Sequence, residues 1–155
     1  MTAETYFTRR DGGEYAYTID ATKLKFGAGA IGEVGEDAKA LGMTRVALYT
    51  DPRVAKLQHV DIAARALRTA GLDVEIYDQV AVEPTDRSFG AGTRFANEGG
   101  FDGFVSIGGG SVMDTAKASN LYSTHPADLL TYVNLPVGKA QPVPGPLKPH
   151  IACPT

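Results

Sequence analysis

The chemistry most plainly written in this chain lies in ten positions, Gly108-Gly-Gly-Ser-Val-Met-Asp-Thr-Ala-Lys117. Three consecutive glycines follow the short apolar run Gly103–Ile107 and precede a segment of helical character. Lacking a Cβ, Gly108, Gly109 and Gly110 can take positive φ and let an anion come close to the backbone. The unpaired N–H groups of a first helical turn, at the positive end of the helix dipole, would point at that anion. Ser111 is placed to act as N-cap, with Asp114 three residues on at the spacing of a capping box. The pattern predicts a phosphate-binding turn, with a tight structural corner as the alternative. Asp114 and Lys117, three residues apart on one helix, share a face and fit a surface ion pair of small energetic value.

A strand and a helix must flank such a turn, and the chain supplies them in alternation. Tyr15–Ile19 and Lys23–Phe26 alternate in the manner of strands with a turn between them, which predicts an N-terminal edge hairpin after a flexible leader over residues 1–14. Ile31, Val34, Ala38 and Leu41 follow helical spacing up to Gly42. Strands are then expected over 45–50, 73–77 and 103–107, and helices over 58–70, 86–98 and 112–122. This alternation predicts an α/β fold with a parallel sheet covered on both faces. Beyond His125-Pro126 a short helix is expected at Asp128–Tyr132, then an irregular proline-rich stretch, then a last strand at His150–Cys153.

Composition narrows the class. The chain has 155 residues, of which 43% are hydrophobic and 21% charged, the profile of a globular domain. A net charge of −3 with no basic run excludes nucleic acid as a non-specific partner. No apolar run reaches membrane-spanning length, so no membrane partner is expected. The start lacks a secretory segment, and Glu4, Asp11 and Glu14 fit poorly with a mitochondrial transit peptide, which together predict a cytoplasmic protein. A single cysteine, Cys153, excludes an internal disulfide and a cysteine-based zinc site.

The glycine turn departs from the G-x-G-x-x-G dinucleotide fingerprint and from the lysine spacing of a triphosphatase loop. Gly108-Gly-Gly-Ser-x-x-Asp-x-Ala-Lys117 instead resembles the signature of the iron-containing (group III) alcohol dehydrogenases. Phe26-Gly27, Thr50-Asp51 and Glu83-Pro84-Thr85 stand in the order that family shows. Glu83–Asp86, Asn120–Tyr122, Pro136–Lys139 and Pro146–Pro149 look most like its hydroxyacid-oxoacid transhydrogenase branch, and the resemblance covers nearly all of residues 15–155.

That resemblance implies a Rossmann-like, doubly wound dinucleotide-binding domain over residues 15–155, truncated at its C-terminal end, with the family's helical metal-binding domain absent. Gly108, Gly109, Gly110 and Ser111 would bind the pyrophosphate of a nicotinamide cofactor, and Asp51 the adenosine ribose, favouring NAD over NADP. Asp51 also suits a plain turn before Pro52. Pro84 and Thr85 would lie against the adenine, with Thr85 also suited to cap a helix. Asp114, Lys117 and Thr155 would face the cofactor as well.

The family holds a divalent metal, Fe or Zn, on one aspartate and three histidines of its second domain, none of which this chain carries. His59, His125 and His150 show no ligand spacing and read as structural residues. No catalytic or metal-binding residue is therefore expected here. The implied function is the NAD-binding part of a metal-dependent oxidoreductase that moves hydride between a small alcohol or hydroxyacid and an aldehyde, ketone or oxoacid. The chain alone is expected to be inactive, with homo-oligomerisation left open. A stand-alone dinucleotide-binding module and a dehydroquinate-synthase-like domain remain alternatives.

Overall fold

In the computed structural model, residues 22–155 are described in full, preceded by the strand backbone of Thr8–Arg9 and Tyr15–Ala16. These two short segments, β1 (Thr8–Arg9) and β2 (Tyr15–Ala16), pair antiparallel with each other. One strand of this pair falls inside the stretch expected to be a flexible leader; the rest of that stretch, and Tyr17–Ile19, lie outside the described residues. Lys23–Phe26 forms no strand, so the expected hairpin partner is corrected. The alternation there has nothing to bury against among the described residues: Leu24 is 88% exposed and Phe26 98%. Lys25 instead ties this segment to the next helix through Asp37 (2.6 Å) and Glu33 (2.9 Å).

A 3-10 turn at Ala30–Glu33 leads into α1 (Val34–Ala40). Then follow β3 (Arg45–Tyr49), α2 (Gln58–Thr69), β4 (Asp73–Tyr77), α3 (Asp86–Gly99), β5 (Gly103–Gly108), α4 (Gly110–Thr124) and β6 (His150–Pro154). β3 to β6 form one parallel sheet in the order β4-β3-β5-β6. This is a Rossmann-like doubly wound α/β arrangement, as expected from the sequence.

Side chains alternate across the sheet with the period of a strand. Val46 and Leu48 of β3, with Val105 and Ile107 of β5, pack under α1 and α2. Ala47, Tyr49 and Phe104 face the other way and pack under Val112 and Ala116 of α4 and Ala96 of α3. Every residue of β5 is buried, which is why its sequence shows a near-continuous apolar run. α2 buries Val60, Ala63, Ala64 and Leu67, an i, i+3, i+4, i+7 stripe, leaving Ile62 only half-buried at its margin.

The opposite edge of the sheet from the glycine turn is closed by polar ties. Asp102 accepts hydrogen bonds from the N–H groups of Thr44 (2.9 Å) and Arg45 (2.9 Å). Burial pushes its carboxyl up, but these bonds, with one from the Thr44 hydroxyl, outweigh it and hold the group below its ordinary value. Arg45 spans Gly99 O (2.7 Å), Asp73 and Glu75, with its guanidinium 5.4 Å from the Phe101 ring centre.

The expected helix at Asp128–Tyr132 is replaced by turns and bends, because the carbonyls that would start its ladder are taken elsewhere: Asp128 O by Thr131 N (2.9 Å), Leu130 O by Lys139 N (2.8 Å) and Thr131 O by Gln141 N (3.0 Å). The proline-rich stretch is held by a buried amide: Asn120 Nδ2 donates to Lys148 O (2.8 Å) and Asn120 Oδ1 accepts from Lys148 N (3.2 Å). Asn120→Ala removes both bonds, and chemical denaturation is expected to show a loss of about 1–3 kcal/mol. Amide exchange should rise near Lys148; a variant as stable as the parent would show that the loop holds itself.

Candidate functional site

The sheet order reverses direction between β3 and β5, since the chain leaves β3 for β4 on one side and leaves β5 for β6 on the other. In open α/β sheets such a switch point leaves a crevice beyond the carboxyl ends of the strands. The two strand ends are clamped by buried Thr50, whose hydroxyl donates to Ile107 O (2.8 Å). Asp51 and Gly108 lie immediately beyond this clamp.

Gly108 has φ +153°, and a Cβ there would meet Val112 Cγ2 at 2.6 Å. Gly109 precedes α4 in extended conformation (φ −75°, ψ −173°) and serves as its N-cap. Among the described residues, a Cβ on Gly109 or Gly110 would meet no atom within 4 Å beyond its own chain neighbours and helix backbone, so the exposed side of the turn is open. Val112 N and Met113 N both donate to Gly109 O (3.0 and 3.2 Å). The N–H groups of Gly110 and Ser111, ahead of them, begin a fifteen-residue helix as its unpaired donors. The helix thus starts two residues earlier than expected, and Ser111 is not its cap. An extended Gly109 makes the turn, and the Ser111 hydroxyl donates to Val82 O instead.

The other expected residues divide into two groups. Asp51 Oδ1 accepts from Arg53 N (2.8 Å) and Val54 N (3.1 Å), forming a turn, while Oδ2 has no partner among the described residues. Thr85 caps α3 through a reciprocal pair: its Oγ1 accepts from Ser88 N (3.2 Å) and its N–H donates to Ser88 Oγ (2.7 Å). Pro84 precedes it, half-buried. Thr155 N donates to Gly108 O (3.3 Å), so the last residue lies beside the glycine turn. These positions converge on one edge of the sheet. Asp114 and Lys117 lie farther along α4 as an exposed ion pair (3.7 Å). Lys117 also lines a groove of roughly 900 Å³ with Leu24, Phe26, Leu41, His150 and Pro154.

Sequence reasoning missed Thr50 as the strand clamp, although it stands beside Asp51 and buried hydroxyls need partners. It also missed the pair of Ser106 Oγ and His150 Nε2 at 2.9 Å, which only the β5–β6 register reveals. Burial, and then the Lys117 charge, push the His150 imidazole down to about 4. His59 is exposed on α2, and His125 ends α4 with Nε2 3.1 Å from Pro146 O. Among the described residues no group of three or more His, Cys, Asp or Glu side chains could hold a metal ion. The described residues therefore offer no donor set for a metal centre. No helix among them is long and apolar enough to cross a membrane.

A doubly wound sheet whose strand-end loops converge on a glycine turn belongs to the Rossmann-like class of α/β domains. Within that class the chain belongs to the iron-containing alcohol dehydrogenase family, whose sequence model matches residues 21–155. It is 46% identical over 143 residues to the mitochondrial hydroxyacid-oxoacid transhydrogenases of Mus musculus and Homo sapiens, covering 92% of this chain and 31% of theirs. The chain thus spans about a third of the length of these relatives. Among solved structures, 1,3-propanediol oxidoreductase superposes with a TM-score of 0.74 at 33% identity, covering 82% of this chain and 32% of that one. An archaeal halo-thermophilic alcohol dehydrogenase from a Red Sea brine pool gives a TM-score of 0.78 at 25% identity, covering 91% and 36%. The mitochondrial relatives overturn the cytoplasmic expectation and point to the mitochondrion. The acidic residues near the start do not outweigh that finding.

Two outcomes follow from this geometry. Gly108→Ala is expected to cost about 1–3 kcal/mol through strain, whereas Gly109→Ala and Gly110→Ala should stay within about 0.5 kcal/mol; equal losses in urea denaturation would contradict the open turn. For His150 the folded value of about 4 lies below the ordinary 6.5, so the unfolded chain binds the extra proton between them. The contribution of neutral His150 is complete above pH 6.5 and is lost as pH falls toward 4. Stability measured across that range should fall with pH in the parent and fall less in His150→Leu.

Proposed function

We propose that this chain is the nicotinamide-dinucleotide-binding part of a metal-dependent oxidoreductase of the hydroxyacid-oxoacid transhydrogenase or alcohol dehydrogenase type. In this reading residues 15–155 form the dinucleotide-binding domain, and the metal site lies outside them. The reaction of the whole enzyme is hydride transfer between a small alcohol or hydroxyacid and an aldehyde, ketone or oxoacid. The observation that carries the reading is the open glycine turn at the switch point, flanked by a fixed carboxylate with one oxygen to spare. Family membership supports it, as do relatives named for transhydrogenation and alcohol oxidation.

The nicotinamide, when bound, supplies the hydride acceptor or donor. The chain's own residues bind and orient it. The backbone N–H groups of Gly110 and Ser111, at the positive end of α4, take the pyrophosphate. Gly109 gives it room, since no Cβ intervenes. Asp51 Oδ2 accepts from the adenosine ribose hydroxyls and repels the phosphate of NADP. Pro84 and Thr85 border the adenine, and Thr155 lies toward the cofactor beside Gly108. Asp114 and Lys117 face the cofactor farther along α4, with their mutual ion pair as the resting arrangement. No residue of this chain performs the chemical step, so the chain alone binds without turning over.

Fluorescence titration tests this directly. The chain should bind NADH about tenfold or more tightly than NADPH, the scale of a hydrogen bond to a charged group. Asp51→Asn, which keeps an oxygen for Arg53 and Val54 but loses the charge, should narrow that gap. Equal affinities in the parent would remove the Asp51 assignment, and metal-dependent turnover by this chain would overturn its inactivity.

A further inference from the structure

The loop between β4 and α3 crosses the ends of three strands. Tyr77 O, at the end of β4, accepts from Thr50 N (2.9 Å), and Val80 N donates to Thr50 O (3.3 Å) at the end of β3. Two residues farther on, Val82 O accepts the hydroxyl of Ser111, on the first turn after β5. The loop is anchored at one end by buried Val80 and at the other by the Thr85 capping box on α3. Between these anchors the Val82 side chain is exposed, so apolar packing does not hold it. Among the described residues, the Ser111 hydroxyl is the side-chain tie between this span and the glycine turn.

A serine hydroxyl carries one proton. With that proton committed to Val82 O, Ser111 Oγ offers only lone pairs in other directions, and an anion at the glycine turn gains nothing from them. The Ser111 N–H is free of this conflict, because the start of the helix leaves it outside the backbone ladder. We propose that Ser111 acts through its side chain as a positioning residue: its hydroxyl holds the Ala81–Pro84 span against the glycine turn, so that the adenosine side of the crevice is walled before a ligand arrives. The contact to phosphate at this position is made by the backbone alone. This inference rests on the dinucleotide reading of the crevice, and it reassigns the residue's side chain within that reading.

The test compares the full chain with Ser111→Ala and Ser111→Thr, using NADH and adenosine as probes. Adenosine carries no phosphate, so a weakened affinity for it cannot come from a lost phosphate contact. Ser111→Ala is expected to weaken both probes by about three- to tenfold and to speed amide exchange at Ala81–Glu83. Ser111→Thr, which keeps a hydroxyl, should restore both. An alanine variant that loses NADH affinity but keeps that for adenosine would make the hydroxyl a phosphate ligand and overturn the proposal. Unchanged affinities and exchange would overturn it too. Failure of the dinucleotide reading looks different: the parent would bind neither probe, which removes the ligand role and leaves exchange to decide whether the hydroxyl holds the loop.

Discussion

The pairing of β3 with β5 is the constraint on which the rest of this molecule depends. Val46 to Tyr49 lie in register with Gly103 to Ser106, and just beyond that register the Thr50 hydroxyl bonds to Ile107 O. These adjacent strands send the chain away in opposite directions, which opens a crevice at their carboxyl ends, bordered by the loop from β4 to α3. A slip of one residue would turn Val46 and Leu48 toward α3 and α4, and Tyr49 toward α1 and α2. The same slip would part Asp51 from Gly108. Core packing and site geometry are therefore set by one register.

The two edges of the sheet divide the work. At the amino end, Asp102, Arg45, Asp73 and Glu75 close on one another, and the carboxylate of Asp102 is satisfied by Thr44 and Arg45. At the carboxyl end, polar groups are left available: the first N–H groups of α4, one oxygen of Asp51, and a turn with space beside Gly109 and Gly110. Unpaired donors are tolerated there because they face solvent, where water satisfies them. Gly108 contributes differently from its neighbours. Its φ of +153° and its closeness to Val112 make it a requirement of the fold, whereas the openness of Gly109 and Gly110 concerns the ligand side.

Much of this was legible in the sequence for a physical reason. Buried parallel strands need apolar runs, and helices on a sheet need one apolar stripe, so the order of β3 to α4 could be read from periodicity alone. The errors fell where a pattern was local and its partner distant. Lys23–Phe26 alternates as a strand does, yet the described structure gives it no strand to pair with, and Phe26 stays 98% exposed. Ser111 has the spacing of a cap, but the helix begins at Gly110, since an extended Gly109 already makes the corner. The Ser106–His150 contact depends on which strands are neighbours, and no spacing of residues forty-four apart could announce it. Asp51 suits two roles, a turn residue and a ribose contact; its turn is present, and the open Oδ2 leaves the second role geometrically available.

That double reading dissolves once the carboxylate is seen as two oxygens with separate tasks. Arg53 N and Val54 N fix Oδ1, which sets the plane of the group and the direction of Oδ2. An exposed aspartate would have to give up side-chain freedom to meet a ligand; this one has already given it up on folding, so less of the binding energy is lost to ordering it. The turn is thus what makes the carboxylate a selective contact in the proposed role. A freely rotating carboxylate could swing away from an added phosphate, whereas one pinned by its own backbone cannot, and the repulsion is retained.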